Sequence, residues 1–351
     1  MAKTQKTYDS NGGAVWTGIR DLNDKTDPPY DELKDSDRLD GRTVLLTGAS
    51  SGLGLAAARI MAARGARVLM VCRRAAEEEL ASVRAAGGEN GGSAEVLHAN
   101  MADFESIRAL VDELAARGEH LDVVVSNAAV VPSSARRTVN GYEEMVQVNA
   151  MAPAFLLKGL LEKGIIPNDT FGGNGRKAAG ISHKDGPLPR IVIVASEAHR
   201  SAPELNLEEL DAMPSYGMVE STPRYGWTKL LLLTYARELA RRLSGTEADG
   251  PDVSVHALCP GPIASNIARE VPAVVRPFSK LFFRIFFQPP ETAARPVVYL
   301  AASPRIEGQT ALYQFLMRKR PPSIAADDPE NGKALWDALG ALFPEDERLH
   351  A

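Results

Sequence analysis

Tyr225 and Lys229 lie four positions apart in the segment Tyr–Gly–Trp–Thr–Lys, and both side chains can exchange protons. Residues four apart share one face of a helix, so the phenol and the ammonium can point into the same cavity. Tyrosine, with an ordinary pKa of about 10, is a poor acid or base at neutral pH, and a neighbouring cation lowers that pKa by favouring the phenolate. The pair therefore predicts a general acid/base centre at Tyr225, although this spacing is common by chance.

Ser196 directly follows an apolar run, Arg190–Ala195, that is typical of a buried strand. A hydroxyl at the carboxyl end of a parallel strand lies where open α/β sheets bind ligands, and it can hydrogen-bond a substrate carbonyl. His199 follows three residues later, which raises the alternative of a Ser–His nucleophile. That alternative is disfavoured because no Gly-x-Ser-x-Gly elbow surrounds Ser196.

A glycine-rich turn, Thr47–Gly–Ala–Ser–Ser–Gly–Leu–Gly54, follows one predicted strand and opens a helix. Glycines let the backbone approach a pyrophosphate closely, and a helix N-terminus presents unpaired N–H groups. The spacing differs from the more usual Gly-x-Gly-x-x-Gly fingerprint, but the strand–turn–helix context predicts a dinucleotide site. The predicted contacts are Gly48, Ser50, Ser51, Gly52, Leu53 and Gly54.

Arg73 and Arg74 follow the end of the next predicted strand. In NAD-binding chains an acidic residue near this point accepts from the ribose 2′-hydroxyl, whereas an arginine accommodates a 2′-phosphate. Two arginines without an acid favour NADP(H) as the cofactor. The alternative is that they are solvated arginines at the start of a helix.

Short apolar runs alternate with longer amphipathic segments from Thr43 onward, which predicts a parallel sheet covered on both faces, a doubly wound α/β fold of the Rossmann type. We expect an acidic extension over residues 1–40, a catalytic domain over 41–320 with an inserted loop at 164–189, and a tail over 321–351 with one short helix. The predicted strands are Thr43–Thr47, Arg67–Cys72, Ala94–His98, Leu121–Ser126, Arg190–Ala195 and Val253–Leu258. The predicted helices are Gly52–Arg64, Ala75–Ala86, Asp103–Arg117, about 140–163, Tyr225–Leu243 and Lys333–Leu342.

Composition excludes several classes of function. The 351 residues carry 40 Lys and Arg against 45 Asp and Glu, a net charge of −5 that disfavours general binding to nucleic-acid phosphates. Two cysteines fit a reducing compartment, and six scattered histidines show no spacing of a metal site. No apolar stretch reaches the roughly 18 residues of a membrane span, and the first residues have no signal-peptide core, so we expect a cytoplasmic protein.

The ordered set of motifs resembles the short-chain dehydrogenase/reductase family over residues 41–313. The matching motifs are TGASSGLG, SNAA (126–129), QVNAMAP (147–153), Ser196, YGWTK and CPGPI (259–263). The resemblance implies that Tyr225 is the general acid/base, that Lys229 lowers its pKa and holds the nicotinamide ribose, and that Ser196 positions the carbonyl. It also implies that Asn149 orders a water in the proton relay. Further implied cofactor contacts are Asn100, Met101, Asn127, Ala128, Pro260, Gly261, Ile263 and Ser265.

Within that family the chain looks like the retinol-dehydrogenase-like branch, through CRR at 72–74, SEAHR at 196–200 and the stretch 291–336. NAAVVP and CPGPIA are also similar to light-dependent protochlorophyllide oxidoreductase. Two positions depart from the family pattern. Ala129 replaces the glycine of Asn-Ala-Gly and narrows the space beside the cofactor, and Asn100 stands where many members have an aspartate that contacts adenine.

Residues 266–290 follow the nicotinamide loop and, by the resemblance, close over the substrate. They contain an aromatic face beside basic side chains, with phenylalanines at 282, 283, 286 and 287. One interpretation is a lid that packs on the core or on a second subunit of a homo-oligomer. The other is an apolar entrance through which 271–290 touches a membrane surface, giving peripheral membrane association.

These observations predict an NADP(H)-dependent oxidoreductase that transfers a hydride between the nicotinamide and the carbonyl or alcohol of a bulky hydrophobic substrate. A C=C reductase similar to protochlorophyllide oxidoreductase is an alternative within the enzyme class. Outside it, the alternatives are an NADP-binding sensor that does no chemistry and a structural partner protein whose Phe-rich segment is an interface.

Overall fold

A central sheet of eight strands has the order β3-β2-β1-β4-β5-β6-β7-β8, in a computed structural model that describes residues 32–171, 186–202, 204–245, 250–262 and 288–343. Every neighbouring pair is parallel except β7 and β8, which are antiparallel. The predicted doubly wound α/β fold is confirmed. The strands are β1 (Thr43–Thr47), β2 (Arg67–Cys72), β3 (Ser93–His98), β4 (Val123–Ser126), β5 (Arg190–Val194), β6 (Ser254–Cys259), β7 (Tyr313–Phe315) and β8 (Arg318–Lys319).

Helices cover both faces of the sheet because its central strands are apolar on both sides. The α-helices are α1 (Gly52–Ala63), α2 (Glu77–Gly87), α3 (Phe104–Ala116), α4 (Glu144–Val146), α5 (Ala152–Glu162), α6 (Ser221–Arg242), α7 (Pro290–Ala302), α8 (Ile324–Asp327) and α9 (Pro329–Leu342). One core lies under α3, α5 and α6, and a second lies under α1, α2 and α7. No helix within the described ranges is both long and apolar enough to cross a membrane.

Two helices differ from their predicted bounds in ways that affect the site. The helix expected over about 140–163 is divided, because a π-helical turn at Gln147–Met151 separates α4 from α5. Helix α6 starts at Ser221, four residues earlier than predicted. Tyr225 therefore lies in the second turn of a 22-residue helix, held by residues on both sides of it.

The first and the last described residues of the chain both pack onto the domain. Leu33 and Leu39, from the predicted extension, are buried in the core that lies under α1, α2 and α7. At the other end, Trp336 of α9 stacks on Tyr235 of α6, with ring centroids 5.5 Å apart. The short strands β7 and β8, which the sequence analysis did not predict, connect α7 to this C-terminal part.

Candidate active site

The glycine turn between β1 and α1 has the backbone that its sequence requires. Gly48 has φ +67° and Gly52 has φ +53°, values that favour glycine. A Cβ atom at Gly54 would lie 2.2 Å from the carbonyl oxygen of Gly48 and 2.7 Å from the side-chain nitrogen of Asn127. The first turn of α1 therefore packs directly on the preceding turn, and only a glycine fits at position 54.

The N-terminus of α1 fits a dinucleotide phosphate. Ser51 is the N-cap residue, exposed and extended, and no side chain caps the helix. The first N–H groups of α1 are thus left to an external acceptor, and the helix dipole favours a negative charge there. The other serine of the turn, Ser50, hydrogen-bonds the thiol of Cys72 at the end of β2, and Leu53 is buried.

Asn127 holds this turn in place from the end of β4. Its side chain donates to the carbonyl oxygens of Thr47 (2.9 Å) and Gly48 (3.3 Å). The hydroxyl of Thr47 accepts from the backbone N–H groups of Asn127 (2.9 Å) and Ala128 (3.1 Å). These four bonds join β1 to β4 at the carboxyl edge of the sheet.

The predicted adenosine contacts lie at the ends of β2 and β3. Arg73 and Arg74 directly follow Cys72, the last residue of β2, and both are exposed. Asn100 follows β3, and its side-chain oxygen accepts from the N–H of Ala102 (3.1 Å), while Met101 is buried. Both guanidinium groups are therefore solvent-exposed at the carboxyl end of β2.

Ser196 and Tyr225 meet beyond the end of β5. The Ser196 hydroxyl accepts from the N–H of Ala198 (3.1 Å) and hydrogen-bonds the Tyr225 side chain. Burial raises the pKa of Tyr225 above its usual value, the negative charge of Cys259 when ionised raises it further, and the Ser196 hydrogen bond opposes both. Tyr225 is consequently a neutral phenol at pH 7, the form that donates a proton.

Lys229 is buried one helical turn beyond Tyr225 and donates to the carbonyl oxygen of Val194 at 2.9 Å. Its nitrogen lies 5.6 Å from the centroid of the Tyr225 ring. Burial lowers the pKa of Lys229 to about 8, so the side chain still carries a proton at neutral pH. Burial of the phenol is the largest cause of the raised pKa of Tyr225, and the lowering of that pKa by Lys229 stays a prediction.

Asn149 is fully buried in the π-helical turn. Its side chain exchanges two hydrogen bonds with the backbone of Val130, accepting at 2.8 Å and donating at 2.9 Å, and it also donates to the Thr228 hydroxyl at 3.2 Å. Asn149 therefore connects the loop after β4 with α6, where its partner Thr228 directly precedes Lys229. Both of its side-chain N–H donors are used in these contacts.

The loop after β6 closes the other side of the site. Gly261 has φ +80°, and a Cβ there would lie 2.6 Å from Leu316 and 2.8 Å from the side chain of Gln288. Gln288 donates to the carbonyl oxygens of Pro260 (3.4 Å) and Pro262 (2.9 Å). Gln288 was not among the predicted site residues, and its signal in the sequence is its place before two prolines. Ile263, Ser265 and residues 266–287 of the predicted lid (266–290) lie outside the described residues.

His199 is not the partner of a serine nucleophile. Its Nδ1 lies 2.6 Å from the carbonyl oxygen of Ser196, and its Nε2 accepts from the N–H of Ser323 at 3.1 Å. Both ring nitrogens are thus used by the backbone, and neither contacts the Ser196 hydroxyl. Burial, together with the charge of Arg200, lowers the pKa of His199 to about 4, so the ring stays neutral.

Comparisons with known proteins agree with this geometry. The family model described as short chain dehydrogenase matches residues 42–172. Retinol dehydrogenase 14 of Mus musculus is 33% identical over 338 residues, covering 93% of each chain, and polyprenol dehydrogenase of Danio rerio is 30% identical over 315 residues, covering 88% of this chain and 89% of its own.

Among solved structures, an uncharacterised protein of Mycobacterium paratuberculosis is 26% identical, with a TM-score of 0.61 over 90% of this chain and all of its own. Members of the short-chain dehydrogenase family are oxidoreductases that bind a nicotinamide cofactor. On the similarity over almost its whole length, the chain belongs to this family, in the retinol-dehydrogenase-like branch.

Proposed function

We propose that this protein transfers a hydride between NADP(H) and the carbonyl or alcohol carbon of a bulky, hydrophobic substrate. The observation that carries the proposal is the meeting of Ser196, Tyr225 and Lys229 at one edge of the sheet. The glycine turn that fits a pyrophosphate lies at the same edge. A proton donor, a fixed cation and a dinucleotide site at one edge match the requirements of carbonyl reduction.

Each polar side chain has a defined task in this proposal. The nicotinamide supplies or accepts the hydride when the cofactor is bound. Tyr225, neutral at pH 7, donates its proton to the carbonyl oxygen, and the Ser196 hydroxyl hydrogen-bonds the same oxygen as charge develops on it. Lys229 would hold the ribose hydroxyls of the bound cofactor and return a proton to Tyr225, with its own proton restored through a water that Asn149 orders.

Preference for NADP(H) over NAD(H) rests on Arg73 and Arg74, exposed beside the glycine turn. Guanidinium groups form charge-assisted, often bidentate hydrogen bonds with a phosphate. An acidic residue that would accept from a free 2′-hydroxyl is missing at the end of β2, where the strand ends in Cys72.

The substrate class is supported by the relatives, whose names refer to retinol and to polyprenol, both long apolar alcohols. The proposal is tested by following NADPH consumption with retinoid, polyprenoid, steroid and short aliphatic carbonyls. We expect turnover of the long apolar aldehydes and little of the short ones. Absence of NADPH oxidation across the whole panel would refute the proposal and favour the alternative of a sensor without chemistry.

Peripheral membrane contact through 271–290, homo-oligomer formation and a cytoplasmic location stay predictions, since most of that segment lies outside the described residues. Flotation with anionic liposomes at low salt tests the membrane contact. Protein that stays in the soluble fraction would contradict it.

A further inference from the structure

The short 3₁₀-helical turn Glu197–Ser201, which we call the serine turn, follows Ser196 and is fastened to a distant part of the chain. His199 in this turn is fully buried. Because its Nε2 accepts from the N–H of Ser323, its Nδ1 carries the proton and donates to the carbonyl oxygen of Ser196. One imidazole therefore joins the backbone of the predicted catalytic serine to the start of α8.

Arg200 makes a second connection to the same segment. Its guanidinium donates to the carbonyl oxygen of Pro321 at 2.6 Å and to the carboxylate of Glu197 at 3.0 Å. That carboxylate also accepts from the hydroxyl of Tyr313 in β7, at 2.6 Å. All these groups except Pro321 are buried, so the bonds form away from competing water.

The serine turn also packs without a gap against the helix that carries Tyr225. A Cβ atom at Gly226 would lie 2.2 Å from the hydroxyl oxygen of Ser201 and 2.7 Å from the carbonyl oxygen of Ala198. Gly226 thus lets the turn approach α6 beside Tyr225. The serine turn is thus held both by residues 321–323 and by its packing on α6. The Ser196–Tyr225 hydrogen bond joins the residue just before this turn to the same helix.

We propose that His199 and Arg200 are positioning residues, which align the Ser196 hydroxyl with Tyr225 by fastening the serine turn to residues 321–323. This role rests on the proposed function. Neither side chain touches the reacting atoms. The His199 imidazole fixes the carbonyl group of Ser196, and the Arg200 guanidinium fixes the side chain of Glu197, the next residue in the chain. A displacement of about 1 Å in a catalytic group can cost on the order of 100-fold in rate.

The test compares His199→Leu with His199→Gln, since glutamine retains one donor and one acceptor whereas leucine retains neither. We expect His199→Leu to lower kcat for the best carbonyl of the panel by about tenfold or more, with the Kd for NADPH unchanged. His199→Gln should recover most of that loss. The matched control is His256→Leu, which removes another buried histidine, one whose ring nitrogens have no hydrogen-bond partner among the described residues.

His256→Leu also removes a buried imidazole, but none that holds the serine turn, so we expect its kcat to equal that of the wild type. The comparison therefore separates a positioning role from a general loss of stability. A His199→Leu variant with wild-type kcat, or a His256→Leu variant that loses as much, overturns the positioning role. If the wild-type chain oxidises NADPH with none of the carbonyls in the panel, the proposed function is refuted instead. If His199→Leu does not fold, ¹⁵N NMR of the wild-type imidazoles decides: a ring protonated on Nδ1 alone supports the proposal, and one protonated on Nε2 overturns it.

Discussion

Burying the charged side chain of Lys229 should lower the free energy of unfolding by a measurable amount. The side chain is buried, and its pKa falls from 10.5 to about 8. The folded protein therefore binds this proton less tightly than the unfolded chain does. By linkage, the free energy of unfolding rises with pH wherever the unfolded chain holds more protons, here between about pH 8 and pH 10.5.

The expected size follows from the two pKa values. Folding with a charged Lys229 costs about 3 kcal/mol at pH 7, a cost that declines as the pH approaches the pKa of the unfolded chain. Between about pH 7 and pH 9.5 the wild type should gain roughly 2 kcal/mol relative to Lys229→Met, which has no titrating group at this position. The same variant should lose turnover, because it lacks the ammonium.

Urea unfolding of both proteins at several pH values measures this difference directly, since all other titrations cancel in the comparison. Turnover with NADPH at pH 7 is measured on the same samples. A stability difference that stays constant from pH 7 to pH 9.5 would show that Lys229 is solvated or paired in the folded state, and the argument from burial would be wrong.

The remaining predictions concern the cofactor site. Replacing both Arg73 and Arg74 by Ala should raise the Kd for NADPH about tenfold to a hundredfold and change that for NADH little; an equal loss for both cofactors would remove the 2′-phosphate contact. Gly54→Ala should weaken NADPH binding and lower the free energy of unfolding by about 1–3 kcal/mol, because its Cβ would overlap the Gly48 carbonyl oxygen. The control is Gly340→Ala, whose new Cβ has open space around it, and it should raise the free energy of unfolding by up to about 1 kcal/mol. Urea unfolding measures both variants. If both lose a similar amount of unfolding free energy, the steric argument is contradicted.

The fold was predictable because local chemistry and long-range packing agree along most of the chain. The apolar runs at β1, β2 and β4 can be buried only as central strands, and the glycine turn after β1 needs the backbone that it adopts. The sheet then brings residues as distant as Ser126 and Ile193 into register. Side chains at the carboxyl ends of such strands must share one edge.

Other features were not visible in the sequence because they depend on distant partners. The three-residue strand β7 is too short to show a period, and it forms by pairing with β6. Asn149, in the π-helical turn, bonds Val130 and Thr228, which lie 19 and 79 positions away along the chain. The raised pKa of Tyr225 reflects how much protein surrounds its hydroxyl, which spacing along one helix cannot reveal.

The central claim is that Tyr225 supplies the proton in a hydride transfer from NADPH to a carbonyl carbon. Single-turnover reaction of 4-deuterated NADPH with an active aldehyde measures this most directly, in the wild type and in Tyr225→Phe. We predict that the wild type places the deuterium on the carbonyl carbon, and that Tyr225→Phe binds NADPH with similar affinity but transfers it about 100-fold more slowly or worse. Deuterium transfer by Tyr225→Phe at the wild-type rate would contradict the account.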